Sequence, residues 1–267
     1  MGTPRETLRL VREGDGPVRM LSTRTNADWT QQMTRWSYMR VEQLAAEALS
    51  GYILKKDSPS CGMDGVKVYG GARIPQRTGR GLFAAALLTR LPKLPVEEEG
   101  RLSDPRWREH FIERVFAYWR LRQFFAARWT TGGLVAFHTA HKMALLSHST
   151  TASAALGRLV ASAAGIPRAQ LRDDYEAGFM KTMTNLATPR RHASVLMHMA
   201  GHLKDQLDAA SKQELLQAID EYRRGLVPLV VPLTLVRHHV RVRQVAYLAG
   251  QTYLEPHPRE LMLRNHV

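Results

Sequence analysis

The polar segment from Lys55 to Gly62 contains the residues best suited to chemistry. Cys61 is the one cysteine among 267 residues, so no disulfide can form within the chain. A thiolate is a soft ligand suited to iron, although a lone cysteine most often serves as a small apolar residue in a core. Ser58 and Ser60 flank Pro59, and hydroxyls in such positions ordinarily make a turn by hydrogen bonding to the backbone. The residue types alone leave both interpretations open.

Two other short motifs contain groups that could take part in catalysis or binding. Glu97, Glu98 and Glu99 form an acidic run, which we expect to be a solvated corner. The alternative is that one carboxyl carries a proton in an active site, which requires a raised pKa. Gly79 and Gly81 precede a predicted helix, whose first backbone N–H groups could bind an anion.

Two histidine pairs have helical spacing. His138 and His141 lie three residues apart, and His198 and His202 lie four apart, so each pair shares one helix face. Such spacing suits zinc, but the sequence offers no evident third ligand of matching geometry. We therefore expect these histidines to contact RNA or to cap neighbouring carbonyl groups.

The charge balance favours a polyanionic partner. The chain has 38 Lys and Arg against 24 Asp and Glu, a net charge of +14. Residues 1–103 carry an excess of five basic side chains and residues 104–267 an excess of nine. Nucleic acid is the leading candidate, and a merely soluble basic surface is the alternative.

Several basic side chains are candidate phosphate contacts. In the segment 106–128, arginines interleave with aromatic residues, and we expect the arginines to contact RNA while much of the aromatic set packs in a core. The segment 237–243 has no acid among seven residues. The candidate nucleic-acid-binding residues are Lys55, Lys56, Arg114, Arg120, Arg122, Arg128, Arg190, Arg191, Arg237, Arg241 and Arg243.

The first part of the chain is predicted to be an α/β domain. A helix capped by Asn26 or Asp28 and closed by Gly51 precedes a short apolar run, 52–54, that suits a buried strand. The loop with Ser58 and Cys61 then lies at the carboxyl end of this strand, where ligands of α/β domains bind. We further predict a strand at 66–69, a loop at 73–81 and a helix at 82–90. The stretch before Arg24 is expected to be irregular or to contain strands.

Beyond Asp104 the sequence predicts an all-α domain. Asp104 can cap a helix that has Pro105 at its first position. Apolar residues then recur at helical intervals. The predicted helices are 105–130, 134–148, 151–164, 168–187, 190–208, 211–224 and 230–250. The fold class is therefore an α/β domain at 1–103 followed by an all-α domain at 104–267, predominantly helical overall.

The first twenty residues carry charge throughout, and no apolar run approaches the roughly 18 residues that a membrane-spanning helix needs. We therefore expect a cytoplasmic protein with no membrane partner.

Several ordered motifs resemble those of bacterial tRNA thiouridine desulfidases of the TudS and RudS type, including YbgA-like proteins. The segments 55–62, 79–84 and 94–102 resemble the desulfidase domain. Residues from Leu134 onward resemble the helical domain of unknown function that is fused to it, with landmarks at 136–142, 228–235 and 254–262. The resemblance covers nearly the whole chain.

The resemblance implies a cytoplasmic enzyme that removes sulfur from 4-thiouridine in tRNA. It also implies a four-iron four-sulfur cluster held by three cysteines, with one iron free to take the substrate's sulfur. Cys61 matches one of these cysteines, and Ser58 matches a serine thought to assist catalysis. The other two cysteines and a catalytic glutamate would precede the residues that align with Gly2 to Glu6.

Because a cluster retained by one thiolate would be lost readily, this chain is expected to be inactive as written. Either the true start lies upstream of Met1, which we favour because a missing first strand would expose a sheet edge, or the protein is a degenerate relative. Two cysteine codons in frame upstream of Met1 would favour the enzyme. The competing hypothesis is a noncatalytic RNA-binding or interaction protein that uses the helical domain.

Overall fold

The computed structural model describes residues 6–70 and 74–267, and the chain divides into two compact units, Met1–Ser103 and Asp104–Val267. Arg73, the start of a predicted loop, lies outside the described residues, as do Gly2 to Arg5. The chain combines a sheet-containing first unit with a helical second unit and is predominantly helical, as the sequence predicts.

The first unit contains two small sheets. One has four strands in the order β2-β1-β4-β5, in which β1 and β4 are parallel and the other neighbours antiparallel. The other pairs β3 with β6 in parallel. The strands are β1 (Leu8–Val11), β2 (Arg19–Ser22), β3 (Tyr52–Leu54), β4 (Val66–Tyr69), β5 (Gln76–Gly79) and β6 (Val96–Glu98).

Apolar side chains from three strands form the core of the larger sheet. Leu10, Met20, Val66 and Val68 are buried together. The alternation of buried and exposed residues in β4 is the pattern of a strand with one face on a core.

Two helices complete the first unit, α1 (Thr30–Ala46) and α2 (Leu82–Arg90). The bounds of α2 agree with the prediction. Asp28 is at the start of α1, where its Oδ1 accepts a hydrogen bond of 2.8 Å from the N–H of Thr30. Gly51 does not close this helix, contrary to the prediction, because the chain leaves it earlier, at Ala48, whose φ of 54° is left-handed.

Two further expectations for this unit are wrong. Part of the predicted loop 73–81 is a strand, β5, since Gln76 to Gly79 pair with β4 in an antiparallel ladder. Strand β3 is not fully buried: Leu54 is 1% exposed, but Ile53 is 53% exposed on the opposite face. A strand that alternates in this way has only one covered face.

The second unit is built from eight α-helices in its described residues, which are all of Asp104 to Val267. They are α3 (Pro105–Ala126), α4 (Thr131–His148), α5 (Thr150–Ala161), α6 (Arg168–Met183), α7 (Pro189–Leu203), α8 (Ala209–Arg223), α9 (Val230–Arg243) and α10 (Ala246–Ala249). Asp104 caps α3 by accepting the N–H of Arg106 at 2.8 Å, as predicted. The predicted helix 230–250 is broken at Gln244, whose φ is 53°.

A buried ionic network joins α3 to the end of the chain. Glu109 and Glu113 on α3 are 5% and 2% exposed, and Arg264 is 5% exposed. Arg264 Nε lies 3.1 Å from Glu109 Oε1, and its Nη2 lies 3.6 Å from Glu113 Oε1. His148 Nε2 lies 3.3 Å from Glu113 Oε2. Burial by itself raises the pKa of Glu113, but His148 and Arg264 hold that pKa well below its ordinary value.

Among the described helices, none combines the length and the apolar character needed to cross a bilayer.

Candidate functional site

The loop after β3 is organised by the hydroxyl of Ser58. Its Oγ accepts hydrogen bonds from the backbone N–H groups of Ser60 at 3.3 Å and Cys61 at 3.2 Å. It also lies 3.0 Å from Ser60 Oγ. Ser58 therefore makes the side-chain turn that its position beside Pro59 predicts, and this turn sets the direction of the Cys61 side chain.

The thiol of Cys61 is free and half-buried rather than enclosed in a core. Its Sγ lies 3.4 Å from Ser60 Oγ, so the nearest polar group is a hydroxyl. Burial raises the pKa of Tyr52 in β3, and the charge of Cys61 contributes to the same shift. The thiol therefore sits at a partly solvated rim.

Helix α2 begins directly against this loop. The N–H of Phe83 donates to the carbonyl of Ser60 at 2.9 Å, and the N–H of Gly81 donates to the carbonyl of Gly62 at 2.8 Å. A Cβ at Gly81 would lie 2.3 Å from the carbonyl carbon of Ser60, so only glycine permits this approach. Because loop carbonyls take these N–H groups, the predicted anion site at the start of α2 is not formed.

The acidic run is not the solvated corner that the sequence predicts. Glu97 and Glu98 lie in β6 and are 2% and 4% exposed. Glu98 Oε1 accepts the backbone N–H of Met63 at 2.7 Å, which fixes the chain just after Cys61. Glu97 Oε1 accepts the N–H of Glu98 at 3.0 Å and lies 3.8 Å from Arg101 Nε. At least Glu98 therefore supports the Cys61 loop directly.

The two lysines of the loop are exposed. Lys55 Nζ lies 3.0 Å from Glu99 Oε1, and the backbone N–H of Lys56 donates to Glu99 Oε2 at 2.7 Å. The hydrogen bond from Lys55 lowers the pKa of Glu99. Glu99 therefore neutralises part of the positive charge that the sequence assigns to phosphate contact.

The candidate arginines of the second unit fall into two groups. Arg191 donates to the carbonyl of His148 at 2.9 Å, and Arg237 Nε donates to that of Leu254 at 3.0 Å. Arg120 is half-buried, with its Nη2 3.5 Å from the carbonyl of Glu255. Arg114 and Arg122 also make intramolecular interactions. The exposed members are Arg128, Arg190, Arg241 and Arg243.

The aromatic residues between the arginines of α3 pack mainly inward. Phe125 is 3% exposed, and Phe124 stacks on Phe137 at 4.9 Å between ring centroids. Trp129 lies under the guanidinium of Arg168. Trp119, in contrast, is 50% exposed. The set therefore contributes chiefly to the core, as expected, and leaves Trp119 available at the surface.

The two histidine pairs differ in environment. His141 is buried and its Nδ1 lies 2.8 Å from the carbonyl of Phe137, while His138 Nδ1 lies 3.2 Å from the hydroxyl of Tyr175. Burial lowers the pKa of His141 to about 4. His198 and His202 are exposed. Within residues 6–70 and 74–267, no three His, Cys, Asp or Glu side chains are grouped to hold a metal.

Residues missed by the sequence analysis line a groove beside α9. The groove has a volume of about 550 Å³, and its wall includes the predicted Arg237 and Arg241 together with His238 and Arg259. Arg259 comes from the segment 254–262, which the resemblance identified without giving it a role. Arg241 and Arg259 lie on the same groove only because α9 and this segment are neighbours in the fold. Spacing along the chain does not indicate such a tertiary contact.

The donor set around Cys61 does not fit a four-iron cluster. Four-iron clusters are held by several cysteine thiolates, and the sequence contains one cysteine. The polar side chain in contact with the thiol is the hydroxyl of Ser60, which is a hard ligand.

Comparison with known proteins yields three matches. Residues 1–99 match the family described as 2-thiouracil desulfurase, and residues 142–258 match the family described as a protein of unknown function, DUF1722. The uncharacterized protein YbgA of Escherichia coli (strain K12) is 34% identical over 164 residues, which cover 60% of this chain and 95% of that protein. No solved structure matches the chain significantly.

Proposed function

This chain belongs to the same family as YbgA of Escherichia coli. Because residues 1–99 match the 2-thiouracil desulfurase family, we propose that it acts in removing sulfur from thiolated uridine in tRNA. The first unit receives the thiolated base, and the second unit binds the RNA. The thiolated base is 4-thiouridine. The observation that carries the proposal is the half-buried thiol of Cys61, held by a tightly fixed loop within the segment that matches the desulfurase family.

The geometry of the loop supports a role in presenting the thiol. Three separate elements hold it: the turn made by Ser58, the start of α2, and the buried carboxylate of Glu98. A site that acts on a base needs such preorganisation, because its groups must be in place before the substrate arrives. The partial exposure of Cys61 leaves it open to a base approaching from solvent.

The base itself must leave its stack to reach this rim. Enzymes that act on bases pay the cost of unstacking with other contacts to the nucleic acid. The basic excess of residues 104–267 supports assigning those contacts to the second unit. Arg128, Arg190, Arg241 and Arg243 are its exposed candidates.

A second candidate function is noncatalytic RNA binding. The single thiolate favours it, because sulfur removal through an iron–sulfur cluster needs thiolates that this sequence does not supply. In this alternative the second unit binds RNA and Cys61 only lies near the base.

Photocrosslinking tests where the base lies. 4-Thiouridine reacts on long-wavelength ultraviolet irradiation with residues that touch it, so tRNA containing it reports its own contacts. We expect crosslinked peptides to come from the loop at 55–62, with yield reduced by Cys61→Ala. Crosslinks confined to other peptides would overturn the assignment of the base to this loop.

Sulfide release separates the two functions. The chain as printed, and any longer in-frame version that the gene encodes, are purified without oxygen and mixed with thiolated tRNA. The catalytic proposal expects sulfide from the longer version, accompanied by a brown absorbance that Cys61→Ala abolishes. If both versions bind tRNA and neither releases sulfide, the noncatalytic function stands instead. Affinity for tRNA should fall steeply with salt in either case.

A further inference from the structure

The groove beside α9 has a volume within the range of pockets that bind small molecules. It lies between α9, α10 and the segment that follows them, within the second unit. Val240, Ala249 and Leu254 contribute apolar surface to its wall. The groove can therefore accommodate a ligand with a flat apolar part.

Positive charge dominates the wall of the groove. Arg237, Arg241 and Arg259 line it, against one acid, Glu255. That acid pairs with Arg259 through the guanidinium Nη2 and offsets one of the three positive charges, so an excess of two cations is left. Within the described residues, Arg241 has no acidic partner and its side chain is exposed. The groove thus holds more cationic than anionic groups before any ligand binds.

Arg237 lies close to other positive charges. It is half-buried, and its guanidinium donates to the carbonyl of Leu254, which fixes it in place. Burial, followed by the charges of Arg259 and Arg264, lowers the pKa of Arg237 to about 10. It remains a cation at neutral pH, so the mutual repulsion is present in the folded protein and a bound anion would relieve it.

We propose that this groove binds a nucleotide of the tRNA, with the phosphodiester on Arg241 and Arg259 and the base against the apolar wall. This assignment rests on the proposed function and deepens it by placing one RNA contact. A phosphodiester fits guanidinium donors because it offers two oxygens in one plane, and stacking or apolar contact suits an unpaired base. An acidic peptide would satisfy the charge but would leave the apolar wall without a flat partner.

Substitutions on the exposed side of the groove test the proposal. Arg241→Ala and Arg259→Ala truncate exposed side chains and leave the half-buried Arg237 in place, so both variants are expected to fold. Arg158→Ala is the matched control, because Arg158 is an exposed arginine on α5 outside the groove. Binding of tRNA to the full chain is measured by fluorescence anisotropy at several salt concentrations.

We expect each groove variant to weaken tRNA binding about tenfold and to lower the slope of log affinity against log salt by about one, and the control to do neither. A competition arm identifies the ligand. An unmodified single-stranded RNA oligomer should displace tRNA from the wild-type chain, whereas uridine monophosphate and polyglutamate at equal charge should not.

The outcomes distinguish this inference from the proposed function. If the wild-type chain does not bind tRNA, the proposed function fails. If it binds tRNA and both groove variants match Arg158→Ala, the groove assignment fails while the proposed function stands. Equal competition by uridine monophosphate would make the groove a site for a free nucleotide, and equal competition by polyglutamate would make it a protein contact; either result overturns the proposal.

Discussion

The carboxylate of Glu98 accepts a hydrogen bond of 2.7 Å from the backbone N–H of Met63, two residues after Cys61. This bond ties β6 to a loop that lies 35 residues earlier in the sequence. An acidic side chain that is almost fully buried thus has a structural partner at the rim of the candidate site.

Removing this acceptor should loosen the loop. Glu98→Ala leaves the N–H of Met63 without its partner and is expected to lower the free energy of unfolding of the first unit by about 1 to 3 kcal/mol. Glu47→Ala is the control, since its ion pair with Arg40 is exposed and worth about 1 kcal/mol or less. Denaturant unfolding of both variants checks this, and equal effects would contradict the role of Glu98.

The close approach of Gly81 to the loop gives a second prediction. Gly81→Ala must push Ser60 away, at an expected cost of about 1 to 3 kcal/mol, and should speed hydrogen exchange at the N–H of Phe83. Gly201→Ala has open space around its Cβ and is expected to be neutral or slightly stabilising. Unchanged exchange at Phe83 in Gly81→Ala would count against the close contact.

Ser58 has a structural role that can be tested apart from the proposed contact with substrate. Ser58→Ala should cost about 1 kcal/mol, because two N–H groups lose their acceptor. Ser58→Asn should regain most of this stability, since an asparagine side chain makes the same kind of turn. If stability returns in Ser58→Asn while crosslinking of thiolated tRNA stays low, the hydroxyl itself contacts the substrate. Equal stability of the wild-type protein and both variants would contradict a stabilising turn at Ser58.

The buried ionic network should be sensitive to loss of one charge. Glu113→Gln leaves Arg264 and His148 partly uncompensated and is expected to destabilise the second unit by about 3 to 5 kcal/mol. Asp220→Asn removes an exposed ion pair with Arg223 and should cost about 1 kcal/mol or less. Thermal and denaturant unfolding compare the two. Equal losses of unfolding free energy in the two variants would show that the buried ion pairs stabilise the unit no more than an exposed one.

Stability should also fall in mild acid. Burial, then the neighbouring charges of His148 and Arg114, lowers the pKa of His110 to about 4, and burial, then Arg264, does the same for His192. Below about pH 6.5 the unfolded chain therefore binds more protons than the folded chain. The free energy of unfolding then falls as pH drops from about 6.5 towards 4. His148 does not offset this, because its pKa is raised and its contribution is complete below about 6.5.

Unfolding free energies across this pH range provide the measurement. His110→Gln keeps a donor for the carbonyl of Met183 but cannot titrate, so it should flatten the decline. His266→Gln, at an exposed position, should leave the decline unchanged. The same slope in both variants would contradict the assignment to buried histidines.

The sequence predicted those features that depend on neighbouring residues. The strand at 52–54, the turn at Ser58, the helix at 82–90 and the cap at Asp104 each arise from a few consecutive side chains, and all are present. The burial of Glu98 could not be foreseen, because it depends on a loop contributed by a distant segment. The same reason explains why the sequence did not indicate that Arg191, a predicted RNA contact, donates to a backbone carbonyl within the chain.

The long separation along the chain between Arg264 and its carboxylate partners has a consequence for synthesis. Its partners Glu109 and Glu113 leave the ribosome about 150 residues earlier, and their carboxylates cannot be enclosed without a matching cation. The first helix of the second unit must therefore remain incompletely docked until Arg264 has emerged from the ribosome. A nascent chain stalled shortly before Arg264 should remain open to chaperones and proteases.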